Sequence, residues 1–321
     1  MQGVFLDTAT MRPQELDFSG LQDSLPEWQL FDATTPAQLH QRLQQATVVV
    51  TNKVVIDRAA LAAAPALKLI CVCATGTNNV DLAAAAEHGI PVCNVTDYAG
   101  ASVAQHTLAL ILALATRWHE YANDVLKGEW SRSSMFCLMH RPVMELSGKQ
   151  LLIVGKGALG QEVARLAEAF GMAVTFAASL APEAPADPAR PSLEQALPQA
   201  DVVSLHCPLN AQTEKLVNEA FLSRMRRGAL LINTARGGLV DESALLAALL
   251  SGDLGGAALD VLSVEPPPAD HPLLAADIPN LIITPHNAWV SRECRQRLLD
   301  GVVANIRAWR DGAPAHVVNG V

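Results

Sequence analysis

Aromatic residues are scarce in this 321-residue chain, only 4% of the total. With so few large rings, Ala, Leu and Val must fill the interior, a composition that favours helices packed on buried strands over a β-sandwich. Basic charge is also in short supply. Lys and Arg number 23 against 32 Asp and Glu, a net charge of −9, which argues against nucleic acid or an anionic membrane as the main partner. No apolar run approaches the ~18–20 residues that span a bilayer; the longest, Leu108 to Ala115, is far shorter. The N-terminus meets Asp7 before any apolar stretch, so no leader segment is evident and a cytoplasmic protein is expected. The six cysteines, at 71, 73, 93, 137, 207 and 294, are scattered rather than paired. Reduced, mostly buried thiols are expected, and no metal site.

The hydrophobic share is 50%, ample for a buried core, and the length suits two domains of ~150 residues. Val48–Thr51 reads as a buried strand, Asp57–Ala64 as a helix and Lys68–Ala74 as a second strand. A helix capped by Asp81 and stopped by Gly89 follows, then a strand over 91–95. Strands apolar on both faces, separated by short helices, imply a covered parallel sheet. Residues 101–117 form a long apolar helix after Gly100, a plausible hinge, and 118–148 read as a less regular excursion, an interface arm. Six further strands are expected at Gln150–Val154, Val174–Ala178, Asp201–Leu205, Ala229–Asn233, Ala257–Leu262 and Leu281–Thr284, the count of a complete dinucleotide-binding sheet. Residues 181–191 read as a proline-laden surface loop and 291–310 as a helix.

The first of those six strands runs into Gly155-Lys156-Gly157-Ala158-Leu159-Gly160 and then a helix. Gly155 permits the tight turn, Gly157 lets backbone approach a pyrophosphate, and Gly160 lets helix and strand pack closely. The amides of Ala158 and Leu159 would face phosphate oxygens with the helix dipole behind them. At the end of the next strand, where a carboxylate would bind the adenosine ribose of NAD, stand Ala177, Ala178 and Ser179. Without the acid, nothing repels a 2′-phosphate, and Ser179 could donate to one. Arg190 lies eleven residues on, beyond the loop, so the cofactor is read as NAD or NADP.

In open α/β sheets the chemistry gathers past the carboxyl ends of the strands. There the chain places Arg236, Glu265 and His286, each just after a different strand. A 2-oxo acid offers a carboxylate and a ketone. Arg236 could grip or polarise it with a planar fork, His286 could deliver the proton that accompanies a hydride, and Glu265 could fix the imidazole tautomer. His206-Cys207 might suggest a thiol dyad, but neighbours on a strand face opposite ways; Cys207 and Pro208 read instead as cofactor lining. His106, on the apolar helix, reads as a packed histidine.

These residues resemble the D-isomer-specific 2-hydroxyacid dehydrogenase family over nearly the whole chain. The resemblance rests on the stretches 74–81, 102–107, 155–160, 206–209, 233–238, 258–261 and 285–289. Lys53 in TNKV and SVEPPP followed by PHNAW point to the glycerate dehydrogenase (hydroxypyruvate reductase) branch. It implies a Rossmann-type doubly wound domain, residues 101–286, inserted in a smaller flavodoxin-like α/β substrate domain, residues 1–100 plus 287–321. Hinges would lie near Tyr98–Ala101 and His286–Ser291. Arg236, Glu265 and His286 match the family's catalytic positions. Thr75, Gly76 and Lys53 would serve the substrate, with Arg236 and His286. Asp260 would orient the nicotinamide amide, with Thr107, Thr213, Thr234 and Ala235 near the cofactor. The resemblance further implies a homodimer through the nucleotide-binding domain. Hydroxypyruvate or glyoxylate is the expected substrate. The alternatives are another family substrate (phosphite, formate or 3-phosphoglycerate) or a non-catalytic nicotinamide-sensing scaffold. Glu265 argues against formate, whose enzymes in the family pair the histidine with Gln. Two departures stand out: the missing ribose acid, and Gln105 where the family often has Glu.

Overall fold

Residues that are apolar in unbroken runs of four or five can be buried only if both faces of their sheet are covered, and the computed structural model has two such sheets. It describes residues 1–181, 183, 187–274 and 278–321. The loop expected over 181–191 thus lies partly outside the described residues, at Pro182, Ala184, Pro185 and Ala186. The chain divides into two units, Met1–Ala99 with Val290–Val321, and Gly100–Trp289.

In the first unit, β1 (Gln2–Phe5), β2 (Glu27–Leu30), β3 (Val48–Thr51), β4 (Leu69–Val72) and β5 (Val92–Cys93) form a parallel sheet in the order β2-β1-β3-β4-β5. Four helices connect them: α1 (Ser19–Gln22), α2 (Pro36–Leu43), α3 (Arg58–Ala62) and α4 (Leu82–Glu87). Every residue of β3 and β4 is buried. Asp57 caps α3 by accepting from the amide of Ala60 at 2.8 Å, and Asp81 caps α4 through Ala84 at 2.8 Å, contacts worth ~1 kcal/mol each. β1 and β2 are not signalled by the sequence. β1 is a short run at the very terminus, and β2 is an edge strand whose residues are mostly exposed, so its pairing is carried by backbone rather than by an apolar pattern.

The second unit opens with α5 (Gly100–Thr116). Its successor is not the irregular excursion expected over 118–148, because α6 (Trp118–Leu126) and α7 (Glu129–Arg132) occupy the first half. The bidentate grip of Arg141 on Asp124 ties the following segment back to α6. The sheet then runs β6 (Gln150–Val154), β7 (Ala173–Phe176), β8 (Val202–Leu205), β9 (Leu230–Asn233), β10 (Gly256–Leu259) and β11 (Leu281–Ile283), all pairings parallel, in the order β11-β10-β9-β8-β6-β7. β6, β8 and β9 end at the expected residue, whereas β7, β10 and β11 end two, three and one residues short of the sequence expectation. The connecting helices are α8 (Ala158–Ala169), α9 (Leu193–Ala196), α10 (Glu219–Arg224) and α11 (Glu242–Ser251). Alternate residues of β6 serve opposite faces: Leu151 and Ile153 pack with Ile111 and Leu114 of α5, whereas Leu152 and Val154 pack with Val203, Leu231 and Leu245. Each fully buried aliphatic side chain contributes roughly 1.5–3 kcal/mol, which is why period-2 alternation between polar and apolar is absent.

The order reverses between β6 and β8. The chain leaves β6 for β7 on one side, then returns to place β8 on the other. This switch point is where an open α/β sheet opens a crevice beyond its strand ends.

The chain then rejoins the first unit with α12 (Arg292–Arg310). Arg295 is almost fully buried. It donates to the carbonyls of Val290 at 2.8 Å and Met11 at 2.6 Å and pairs with Glu15. Among the described residues no helix is long and apolar enough to cross a membrane.

Candidate active site

The glycine turn between β6 and α8 sits at the switch point. Gly155 has φ +110°, and a Cβ there would lie 2.5 Å from the carbonyl carbon of His206, so only glycine permits both the backbone angle and the contact. This interlocks the turn with His206 and Cys207 past β8. At Gly157 the reverse holds: a Cβ would meet nothing within 4 Å. Gly157 is also the N-cap of α8 with no side-chain cap. The first amides of this twelve-residue helix, among them those of Ala158 and Leu159, therefore have no capping side chain, an arrangement that fits the pyrophosphate of a dinucleotide.

Around this turn, other residues singled out from the sequence are held in place. The Thr213 hydroxyl donates to the Pro208 carbonyl at 2.7 Å and closes the turn after β8. Thr107 and Thr234 share a hydrogen bond of 3.0 Å, linking α5 to the end of β9, and the Ala235 amide donates to Asn233. Cys207 is buried and burial pushes its thiol up to about 11, so it is not a thiolate nucleophile. His206 is partly buried, its Nε2 bonded to the Ser204 hydroxyl, and desolvation pushes it down to about 4. It is a neutral imidazole, with no geometry for a dyad with Cys207.

Past β11, His286 sits with φ +51°, its Nδ1 2.6 Å from Oε2 of Glu265. The other carboxylate oxygen of Glu265 accepts from the Leu262 amide at 2.9 Å. The imidazole side chain is 38% exposed and the carboxylate 34%, so the pair is both oriented and reachable. Arg236, exposed beyond β9, donates through Nη1 to the Ala235 carbonyl at 2.7 Å. Gly237 follows, where a Cβ would lie 1.9 Å from the Leu262 carbonyl carbon. The loops carrying Arg236 and Glu265 thus both seat on Leu262.

Asp260 is 1% exposed. Its carboxylate accepts from the Thr284 hydroxyl at 2.5 Å and from the amides of Asn287 at 3.0 Å and Ala288 at 2.9 Å. Burial pushes its pKa up, but the donors from His106, Thr284, Ala288 and Asn287 outweigh burial and leave it below the usual carboxylate value. His106 is not the packed bystander expected of an apolar helix. Its Nε2 lies 3.1 Å from the Thr284 hydroxyl and 3.5 Å from Asp260 Oδ1. The sequence offered one signal for this, the spacing of four between Ser102 and His106, which puts two polar groups on one helix face.

Arg190 is likewise displaced from its expected position beyond the loop. Its Nε donates to the Ala177 carbonyl at 2.8 Å, joined by Nη2, and the Ala178 amide donates to Pro191. This brings the guanidinium to the Ala177 carbonyl, one residue past β7. Distance along the chain concealed this.

In the first unit, Thr75 and Gly76 follow β4, and the Thr75 hydroxyl donates to the Val95 carbonyl at 3.0 Å. Lys53 lies exposed in the loop after β3. That loop is gripped by a residue the sequence did not single out for a role: buried Asp7 accepts from the amides of Asn52 at 2.9 Å and Lys53 at 2.6 Å. Among the described residues no cluster of three or more His, Cys, Asp or Glu side chains could hold a metal ion.

Comparison with known proteins agrees with this geometry. Residues 108–288 match the model of the D-isomer specific 2-hydroxyacid dehydrogenase NAD binding domain. A glycerate dehydrogenase from Methylorubrum extorquens is 43% identical over 317 residues, 98% of either chain. A hydroxypyruvate reductase from Blautia hydrogenotrophica is 38% identical, covering 99% of this chain and 100% of its own. An acyclic imino acid reductase solved with NADPH and D-arginine superposes with a TM-score of 0.84 at 26% identity, over 99% of this chain and 100% of that one. The chain belongs to the D-isomer specific 2-hydroxyacid dehydrogenases. It is accordingly an NAD(P)-dependent oxidoreductase of 2-oxo and 2-hydroxy acids.

The Asp260 network gives a stability prediction. Because its pKa is lowered on folding, Asp260 contributes stability above the unfolded carboxylate range, near ~3.9, and that contribution is lost as the pH falls through the lower folded value. Asp260→Asn should lower Tm at neutral pH and flatten the acid limb of the Tm–pH curve; thermal melts between acid and neutral pH test this.

Proposed function

We propose that the protein reduces hydroxypyruvate or glyoxylate to the corresponding D-hydroxy acid, and catalyses the reverse, with His286 as the proton carrier. The observation that carries this reading is the 2.6 Å pair between His286 Nδ1 and Glu265. Because the carboxylate can only accept, Nδ1 holds a hydrogen and Nε2 is the nitrogen left to exchange a proton with substrate. A bound nicotinamide supplies or accepts the hydride at the carbonyl carbon. His286 protonates the carbonyl oxygen in reduction and removes the hydroxyl proton in oxidation, and Glu265 stabilises the imidazolium before transfer. Arg236 keeps guanidinium N–H groups beyond the one held by Ala235, and these grip the substrate's carboxylate or polarise its ketone. By the family resemblance, Thr75, Gly76 and Lys53 also serve the substrate. In this reading the segment Gly100–Trp289 is the nucleotide-binding domain, with Asp260, Thr107, Thr213 and Thr234 supporting the nicotinamide end, and the terminal segments form the substrate domain. His286→Ala should lower kcat by roughly 10²–10⁴ on either substrate; steady-state rates near those of the unaltered protein would dismiss the role.

For the adenosine end, the reading favours NADPH. Support comes from the absence of an acid at the end of β7 and the return of Arg190 to the Ala177 carbonyl, two residues before Ser179 in the chain. A guanidinium there can meet a 2′-phosphate with the N–H groups not bound to the carbonyl. Arg190→Ala should lower kcat/KM for NADPH at least about ten-fold, an interaction of ~1.4 kcal/mol, and leave NADH nearly unchanged. Equal losses with both cofactors would refute it.

The same reading includes a homodimer and a cytoplasmic setting. Reduced core thiols suit the latter. For the former, the segment around α6 and α7 exposes Trp118, Leu126, Trp130, Phe136, Met139 and Val143, with Leu126 and Phe136 each 87% exposed. So much apolar side chain in one stretch suits burial against a second copy. Leu126→Glu combined with Phe136→Asp should shift the mass in light scattering from dimer to monomer.

A further inference from the structure

The five residues from Thr284 to Ala288 carry His286 in a left-handed backbone conformation, which costs a non-glycine residue roughly 1–2 kcal/mol. Such a conformation persists only where the surroundings over-determine it. Its restraints come from two sources. The first is Asp260. Its carbonyl accepts from the His286 amide at 2.8 Å, and its carboxylate holds the amides of Asn287 and Ala288 on one side of His286 and the hydroxyl of Thr284 on the other. The second is one face of α5, where Ser102 donates to the Ala288 carbonyl at 2.7 Å and His106, one turn on, reaches Thr284 and Asp260.

We infer that His106 is a positioning residue for the reaction, holding the His286 loop through Thr284 and Asp260 without touching substrate. Hydrogen counting fixes its role. The Thr284 hydroxyl has one hydrogen, and the 2.5 Å bond to Asp260 uses it, since the carboxylate can only accept. The remaining lone pairs of that oxygen accept from His106 Nε2–H at 3.1 Å. The relay therefore runs from His106 to Thr284 to Asp260. If His106 is removed, the Thr284 hydroxyl loses the donor that orients it, Asp260 loses a polarised partner, and the loop is free to relax out of its strained form. Misplacing a catalytic group by about 1 Å can cost as much as ~10²-fold in rate.

The inference rests on His286 being the proton carrier, and the experiment separates the two. His106→Ala should lower kcat roughly ten-fold or more while the nicotinamide cofactor's Kd, measured by fluorescence titration, stays within about two-fold. His106→Gln carries an N–H donor in place of Nε2 and should recover most of the lost kcat. Thr284→Val, which keeps the shape and deletes the relay hydroxyl, should reproduce the loss, and combining it with His106→Ala should add little. An unchanged kcat in His106→Ala, a Gln variant no better than Ala, or fully additive losses would each overturn the inference. Should His106→Ala fail to fold, the Gln and Val variants still decide it. Full turnover by His286→Ala would instead overturn the acid–base reading itself.

Discussion

A buried carboxylate is costly unless it is surrounded by donors, and the loops past β9, β10 and β11 are organised around one that is. Asp260 stands at the end of β10, between the loops that follow β9 and β11. It answers its own desolvation with two amides, a hydroxyl and the nearby imidazole of His106. Three of those groups belong to the five-residue stretch that bears His286. Satisfying the charge and shaping the loop are thus the same act, and the backbone that carries His286 inherits its geometry from Asp260.

Much of this was legible in the residues. Strands buried on both faces announce themselves as apolar runs, so β3, β4, β6, β8 and β9 could be read from the chain. The glycine turn could be read too, because Gly155 is dictated by its positive φ and its contact with the His206 backbone. The positions of Arg236, Glu265 and His286 past successive strands followed from the same periodicity. β2 was hidden because an exposed edge strand has no apolar signature. α6 and α7 were hidden because their outward apolar residues blur the helical pattern that burial would sharpen.

The contacts that escaped are those that polar side chains make with partners distant along the chain. Arg190 reaches back thirteen residues to Ala177, Asp7 reaches across 45 residues to the Asn52 amide, and His106 reaches across 178 to Thr284. Sequence periodicity reports which face a residue occupies, not which polar atom it meets there. Each of these three was therefore seen as a residue and missed as a restraint. All three act on backbone or on a neighbour's hydroxyl, and so shape a loop rather than fill a core.

The seat that Gly237 makes on Leu262 has a consequence of its own. With not even a methyl's width between them, the segment bearing the guanidinium and the segment bearing the histidine's carboxylate partner meet at one residue, Leu262. Drift that loosened one would loosen the other. A side chain added at Gly237 would therefore disturb the setting of Glu265 as well as that of Arg236.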